Sequence, residues 1–130
     1  MSQQIIDTNV IIRYLIKDDS KLFIPAKQFL DQVKSGKIKC RLEQAVFTEV
    51  VFVLSSYYEV PREKIADVLH NLLFYKGMIV KDKDVFLLSL DIYKNSKLHI
   101  VDSLLATNSQ LHNLKLMSFD EELLDLVKES

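Results

Sequence analysis

The sequence predicts an α/β fold, with a central, mostly parallel sheet of four or five strands and helices on both faces. Three observations carry this expectation. Short apolar runs at residues 4–6, 38–42, 78–80 and 115–117 are separated by stretches whose apolar residues repeat at helical spacing. Strands divided by helical crossovers pair in parallel, with right-handed connections. The 130 residues hold only two glycines and two prolines against 48% hydrophobic and 27% charged residues, the make-up of one helix-rich globular domain over residues 1–130.

Taken in order, Gln4, Ile5 and Ile6 form a buried first strand that delivers Asp7 to a sharp turn. Val10, Ile11, Tyr14 and Leu15 mark a helix over 9–17. Asp18, Asp19 and Ser20 interrupt it. Ala26, Phe29, Leu30 and Val33 mark a second helix, with Pro25 near its start and Gly36 as its C-cap. Ile38, Cys40 and Leu42 alternate with Lys39 and Arg41 as a short strand. Residues 45–58 are too long and too evenly apolar for a strand and read as a buried helix carrying Glu49. Pro61 opens a helix with Ile65, Val68, Leu69 and Leu72 on one side, ended by Lys76 and Gly77. Met78, Ile79 and Val80 make a third strand, and residues 82–84 start a helix through Leu87, Leu88 and Tyr93. Asp102 opens a helix over 103–112. Residues 115–117 are the final strand, and 121–128 the last helix.

Composition excludes several functions. A formal charge of -1 argues against binding nucleic acid through bulk positive charge, although a nuclease that gathers carboxylates around a cation is compatible with it. The single cysteine, Cys40, permits no intrachain disulfide and points to no oxidising compartment. The longest apolar stretch is broken by Glu49 and is too short to span a bilayer, and the N-terminus has no signal-type pattern. A cytoplasmic protein is expected. His70, His99 and His112 lack zinc-type spacing, and there is no glycine-rich phosphate loop. Cys40 in a strand reads as a small buried hydrophobe rather than a nucleophile.

Four acids stand out. Asp7 and Asp120 each follow an apolar strand, which places both at the carboxyl edge of the sheet, where ligands of open α/β sheets bind. Glu49 has Val46, Val50 and Val53 around it, and a buried carboxylate must be protonated, paired or metal-bound. Each position also has a structural explanation. Asp7 and Asp102 are good N-caps. Glu49 fits a buried salt bridge or an exposed helix edge. Ser118 to Glu121 matches a capping box with Ser118 as cap and Asp120 in the first turn. Taken together, the four lack such an explanation.

Asp7-Thr8-Asn9 after an apolar strand, Thr48-Glu49-Val50 leading to Leu54, Val101-Asp102-Ser103-Leu104-Leu105-Ala106, and Ser118-Phe119-Asp120 together resemble the PIN-domain nucleases, closest to the VapC-type ribonuclease toxins. The likeness runs from about residue 4 to residue 127. It implies a three-layer sandwich and an acidic pocket of Asp7, Glu49, Asp102 and Asp120 that binds Mg2+ or Mn2+, with Thr8, Asn9 and Ser118 in support. It also implies a homodimer and a small antitoxin that covers the active site. Two features depart from the family: His99 stands where many relatives carry a further acid, and Asn113 lies near where a glycine often precedes the last strand. Arg13 resembles a common arginine of the first helix, though a surface salt bridge explains it equally well.

Clustered carboxylates suit hard divalent cations, which activate water and neutralise charge on a phosphodiester. Asp7, Asp102 and Asp120 are the expected ligands, and Glu49 a ligand or the base that orients the water. Arg13, Lys17, Lys94 and Lys97 are candidates for RNA contact, with solvated surface charge the simpler reading of each. Tyr57 and Tyr58 are placed either to stack an unpaired base or to make core or dimer contacts. The leading expectation is a metal-dependent endoribonuclease acting as the toxin of a toxin–antitoxin pair. The alternatives are a housekeeping PIN nuclease, a catalytically silent RNA- or protein-binding module, and an aspartate-nucleophile phosphatase. The phosphatase is disfavoured by Asn9 where a second Asp is wanted.

Overall fold

A computed structural model describes residues 3–18 and 20–128. Asp19, part of the expected break after the first helix, lies outside the described residues. The elements run β1 (Gln4–Ile5), α1 (Thr8–Ile16), α2 (Ser20–Ser35), β2 (Cys40–Arg41), α3 (Gln44–Ser56), α4 (Arg62–Leu73), β3 (Met78–Ile79), α5 (Lys83–Asn95), α6 (Ile100–Leu111) and α7 (Glu121–Lys128). The chain forms two compact units, residues 1–81 and 82–130. None of the described helices is long and apolar enough to cross a membrane.

The N-terminal unit is an α/β unit with a parallel three-stranded sheet in the order β1-β2-β3. Gln4 pairs with Cys40 and Ile5 with Arg41, and the same two β2 residues pair with Met78 and Ile79. Each strand is short, yet the ladder is extended at both ends: Ile6 N–H donates to the Arg41 carbonyl at 3.1 Å and Leu42 N–H to the Ile79 carbonyl at 3.0 Å. The core combines Ile11 and Ile12 of α1, Leu30 and Val33 of α2, Phe47, Val50 and Leu54 of α3, and Ile65, Leu69 and Leu72 of α4, all buried. Ile11, Leu30, Val33, Ile65, Leu69 and Leu72 belong to the helical repeats read from the sequence, whereas Val10, Tyr14, Leu15, Phe29 and Val68 of those repeats are only half-buried; burial of each apolar side chain is favourable by roughly 1.5–3 kcal/mol.

The two glycines act differently. Gly36 ends α2 at φ +88°, and Lys37 and Ile38 N–H return to the Gln32 carbonyl at 2.9 and 3.2 Å, the cap that the sequence predicts. Gly77, expected to end the preceding helix, does something else. Helix α4 already stops at Leu73, and Gly77 N–H donates to Val33 O at 2.8 Å while its carbonyl accepts from Cys40 N–H at 2.8 Å. A Cβ at Gly77 would stand 1.9 Å from the Ile38 carbonyl oxygen. Glycine is there because backbones meet. Pro25 also departs from expectation: α2 begins at Ser20, which puts the proline inside the helix rather than near its opening.

The C-terminal unit holds α5, α6 and α7. Leu98, Ala106 and Leu123 form a buried cluster against which Ile92, Leu116, Leu126 and Val127 pack. Residues 115–117, expected as a final strand, form no strand among the described residues. An apolar run becomes a strand only when a ladder partner takes its backbone groups; here the Leu116 side chain packs on the helical cluster instead. Before it, Asn113 adopts φ 52° and Leu114 N–H donates to Ser109 O at 3.0 Å, so asparagine fills a left-handed cap position of the kind glycine also favours.

Candidate active site

Asp7 follows the end of β1 and is the N-cap of α1, with φ -90° and ψ 152°. Its Oδ1 accepts from Thr8 N–H at 2.9 Å. The capping explanation therefore holds for Asp7, and it engages one carboxylate oxygen. Helix α3 carries Glu49, which is exposed rather than buried, so the sequence reading of a buried carboxylate is corrected. The cause is helical geometry. Val50, one residue on, is about 100° round the helix and buried, whereas Phe52, on Glu49's own side, is 64% exposed.

Asp7 and Glu49, distant in sequence, line one cleft of about 330 Å3 together with Thr8, Asn9, Arg13, Tyr57 and Tyr58. Thr8 is buried, and its Oγ1 has no hydrogen-bond partner among the described residues. The support by hydrogen bonds that the family resemblance implies for Thr8 is thus not made by its hydroxyl among the described residues. A buried hydroxyl without a partner is costly. Beside two carboxylates it fits a hydrated divalent cation, since Mg2+ is held by one or two carboxylates and keeps several waters. Within neither unit do His, Cys, Asp and Glu side chains gather in threes as metal ligands among the described residues.

Arg13 lines the same cleft and makes the salt bridge that was its simpler explanation, Nη1 to Asp18 Oδ1 at 2.6 Å. Tyr58 donates its hydroxyl to the other oxygen of Asp18 at 3.1 Å. Loss of hydration works to raise the Asp18 carboxyl, but the bonds from Arg13 and Tyr58 outweigh it and hold the group below its usual range. The same bond to Asp18 pushes the Arg13 guanidinium up. Asp18 was read from sequence only as a helix break. The available signal was an acid just beyond a helix end and five residues after Arg13. Lys17 Nζ stands 5.7 Å over the Phe23 ring, and Lys97 is exposed between α5 and α6.

The other two acids belong to the C-terminal unit. Helix α6 starts at Ile100 with His99 as N-cap, so half-buried Asp102 lies in the first turn and is not the cap the sequence allowed. Asp120, in contrast, is the cap of α7: its Oδ1 accepts from Leu123 N–H at 3.2 Å, and Ser118 Oγ accepts from Asp120 N–H at 3.0 Å. The capping-box reading is corrected by two residues, with Ser118 positioning the backbone of Asp120 rather than capping the helix itself. Cys40 is buried, and burial pushes its thiol up to about 11, which suits an inert side chain.

One comparison bears on the whole chain. The PIN domain family matches residues 5–129, which takes in both units. The chain belongs to the PIN-domain family. PIN domains have a nuclease-type fold, generally metal-dependent and typically with Mg2+. No curated protein and no solved structure matches the chain.

Proposed function

We propose that this PIN-domain chain is a Mg2+- or Mn2+-dependent endoribonuclease of the VapC type, the toxin of a toxin–antitoxin pair. The observation that carries the reading is the cleft that Asp7 and Glu49 line together with Thr8, whose buried hydroxyl has no partner among the described residues. A bound divalent cation supplies an activated water and neutralises charge on the phosphate. Asp7 and Glu49 offer the oxygen ligands, and Glu49, exposed on α3, is free to orient the attacking water. Asp102 and Asp120 are assigned as further ligands from their sequence motifs, with Ser118 holding Asp120. Asn9 borders the carboxylates, and Arg13 and Lys97 are the basic groups assigned to the RNA backbone. The same reading carries a homodimer, a small antitoxin over the active site and a cytoplasmic location.

Purified protein incubated with a panel of structured and single-stranded RNAs tests the enzyme. Cleavage is expected with Mg2+ or Mn2+ and not with EDTA, and is lost in Asp7→Asn. Growth arrest on expression of the wild type, absent for Asp7→Asn, supports the toxin over a housekeeping nuclease. If no RNA is cut and calorimetry detects no divalent cation, the chain is a silent binding module.

A further inference from the structure

The wall of the cleft beside the carboxylates carries two tyrosines whose placement bears on what enters it. Tyr57 caps the end of α3 and is 76% exposed, although a tyrosine ring gains from burial. Its backbone is nonetheless tied down. Tyr57 and Tyr58 N–H both donate to Val53 O, at 3.0 and 3.2 Å, and Val60 N–H donates to Leu54 O at 2.9 Å across a turn with Glu59 at φ 54°. The two rings meet at 76° with centroids 4.7 Å apart. In that T-shaped arrangement neither ring stacks face to face on the other, and Tyr57 is the exposed one of the pair. Tyr58 is half-buried and held through Asp18 to Arg13. An exposed ring on a fixed backbone, backed by a clasped neighbour, is pre-organised for a planar ligand.

We propose that Tyr57 is a stacking platform for an unpaired base of a single-stranded nucleic acid whose backbone lies in the cleft, with Tyr58 and Asp18 as positioning residues. This rests on the nuclease reading above and names the side chain that holds a substrate base beside the cleft. Bases in a duplex are already stacked on their neighbours and do not present a face to a side chain, whereas a single strand does. Arg13, on the same cleft wall, is the cation that meets the adjoining phosphate.

The test uses the whole protein in Ca2+, with labelled single-stranded and duplex RNA oligonucleotides and fluorescence anisotropy as the binding readout. Tyr57→Ala should weaken single-strand binding by roughly ten- to a hundredfold and leave duplex binding where it was. Tyr57→Phe, which keeps the ring, should restore single-strand binding. A single-stranded oligonucleotide with an abasic site at the stacked position should bind wild type and Tyr57→Ala alike. Tyr58→Phe, which drops the bond to Asp18, should raise KM more than it lowers kcat. The proposal is overturned if Tyr57→Ala binds the single strand as tightly as a wild-type enzyme that still cleaves RNA, or if Tyr57→Phe is as weak as Tyr57→Ala. Absence of both cleavage and binding in the wild type overturns the nuclease reading and this proposal together.

Discussion

The hydroxyl of Tyr58 donates to Asp18 across 3.1 Å and so ties the segment after α3 to the end of α1. Helix α1 is capped by Asp7 and α3 carries Glu49, so this bond and the Arg13 salt bridge fasten together the two helices that supply the cleft's carboxylates. Asp18 is held below its usual range, so its contribution is present above the unfolded pKa and lost as pH falls through the lower folded value. Replacing Asp18 by Asn should therefore lower the melting temperature at neutral pH, with the difference from wild type shrinking below about pH 4. It should also shrink at high salt, because the pair is partly exposed. Thermal melts across pH and salt check this.

Gly77 stands where β2, β3 and the end of α2 converge, and a Cβ there would meet Ile38 O at 1.9 Å and Val33 O at 2.9 Å. Both obstacles are backbone, which does not swing aside as a side chain does. Gly77→Ala should cost about 2–4 kcal/mol in urea unfolding, at the severe end of single substitutions. Gly36→Ala should cost less, about 1 kcal/mol, because its burden is the positive φ and a 3.2 Å contact with Lys76 Cβ.

Burial raises the Cys40 thiol to about 11 and, together with the hydrogen bond shared with Tyr14, raises the Tyr75 phenol as well. A group whose folded pKa lies above its unfolded value contributes stability that is intact below the unfolded pKa and lost as pH rises through the folded one. Stability should therefore fall from about pH 9 upward, and Cys40→Ala should flatten part of that fall. Native protein should resist alkylation at neutral pH and react once unfolded, which a mass shift reports.

Thr8→Val keeps the size of the side chain and removes a buried hydroxyl that has no partner among the described residues. Without metal this should be neutral or stabilising by up to about 1 kcal/mol. With Mg2+ the variant should gain less melting temperature than wild type, and its metal affinity should fall on the order of tenfold. Melts with and without Mg2+ give both readouts.

Much of this arrangement was legible in the sequence because it depends on local pattern. The alternation of short strands and helices, the parallel pairing of the first three strands, the Gly36 cap and the delivery of Asp7 to a helix start all follow from periodicity and capping chemistry. What was not legible depends on partners distant in the chain. Residues 115–117 have strand-like composition, but a strand needs a ladder, and Leu116 packs on Leu98, Ala106 and Leu123 instead. Glu49 reads as buried because Val46, Val50 and Val53 form an apolar face around it, but only Val50 is buried, and Val46 and Val53 stand half-exposed at the rim of that face. The role of Gly77 comes from Val33 and Ile38, which no window around residue 77 contains. The role of Asp18 is hidden for the same reason, since Tyr58 reaches it from the turn after α3, forty residues on.

The most direct test of the carboxylate cleft is single-turnover cleavage of a single-stranded RNA by wild type, Asp7→Asn and Glu49→Gln in Mg2+. Asn is itself a good N-cap, so Asp7→Asn should stay folded, and circular dichroism verifies this. The account predicts that each variant loses at least about a hundredfold in rate while the fold persists. Wild-type rates in both folded variants would contradict it.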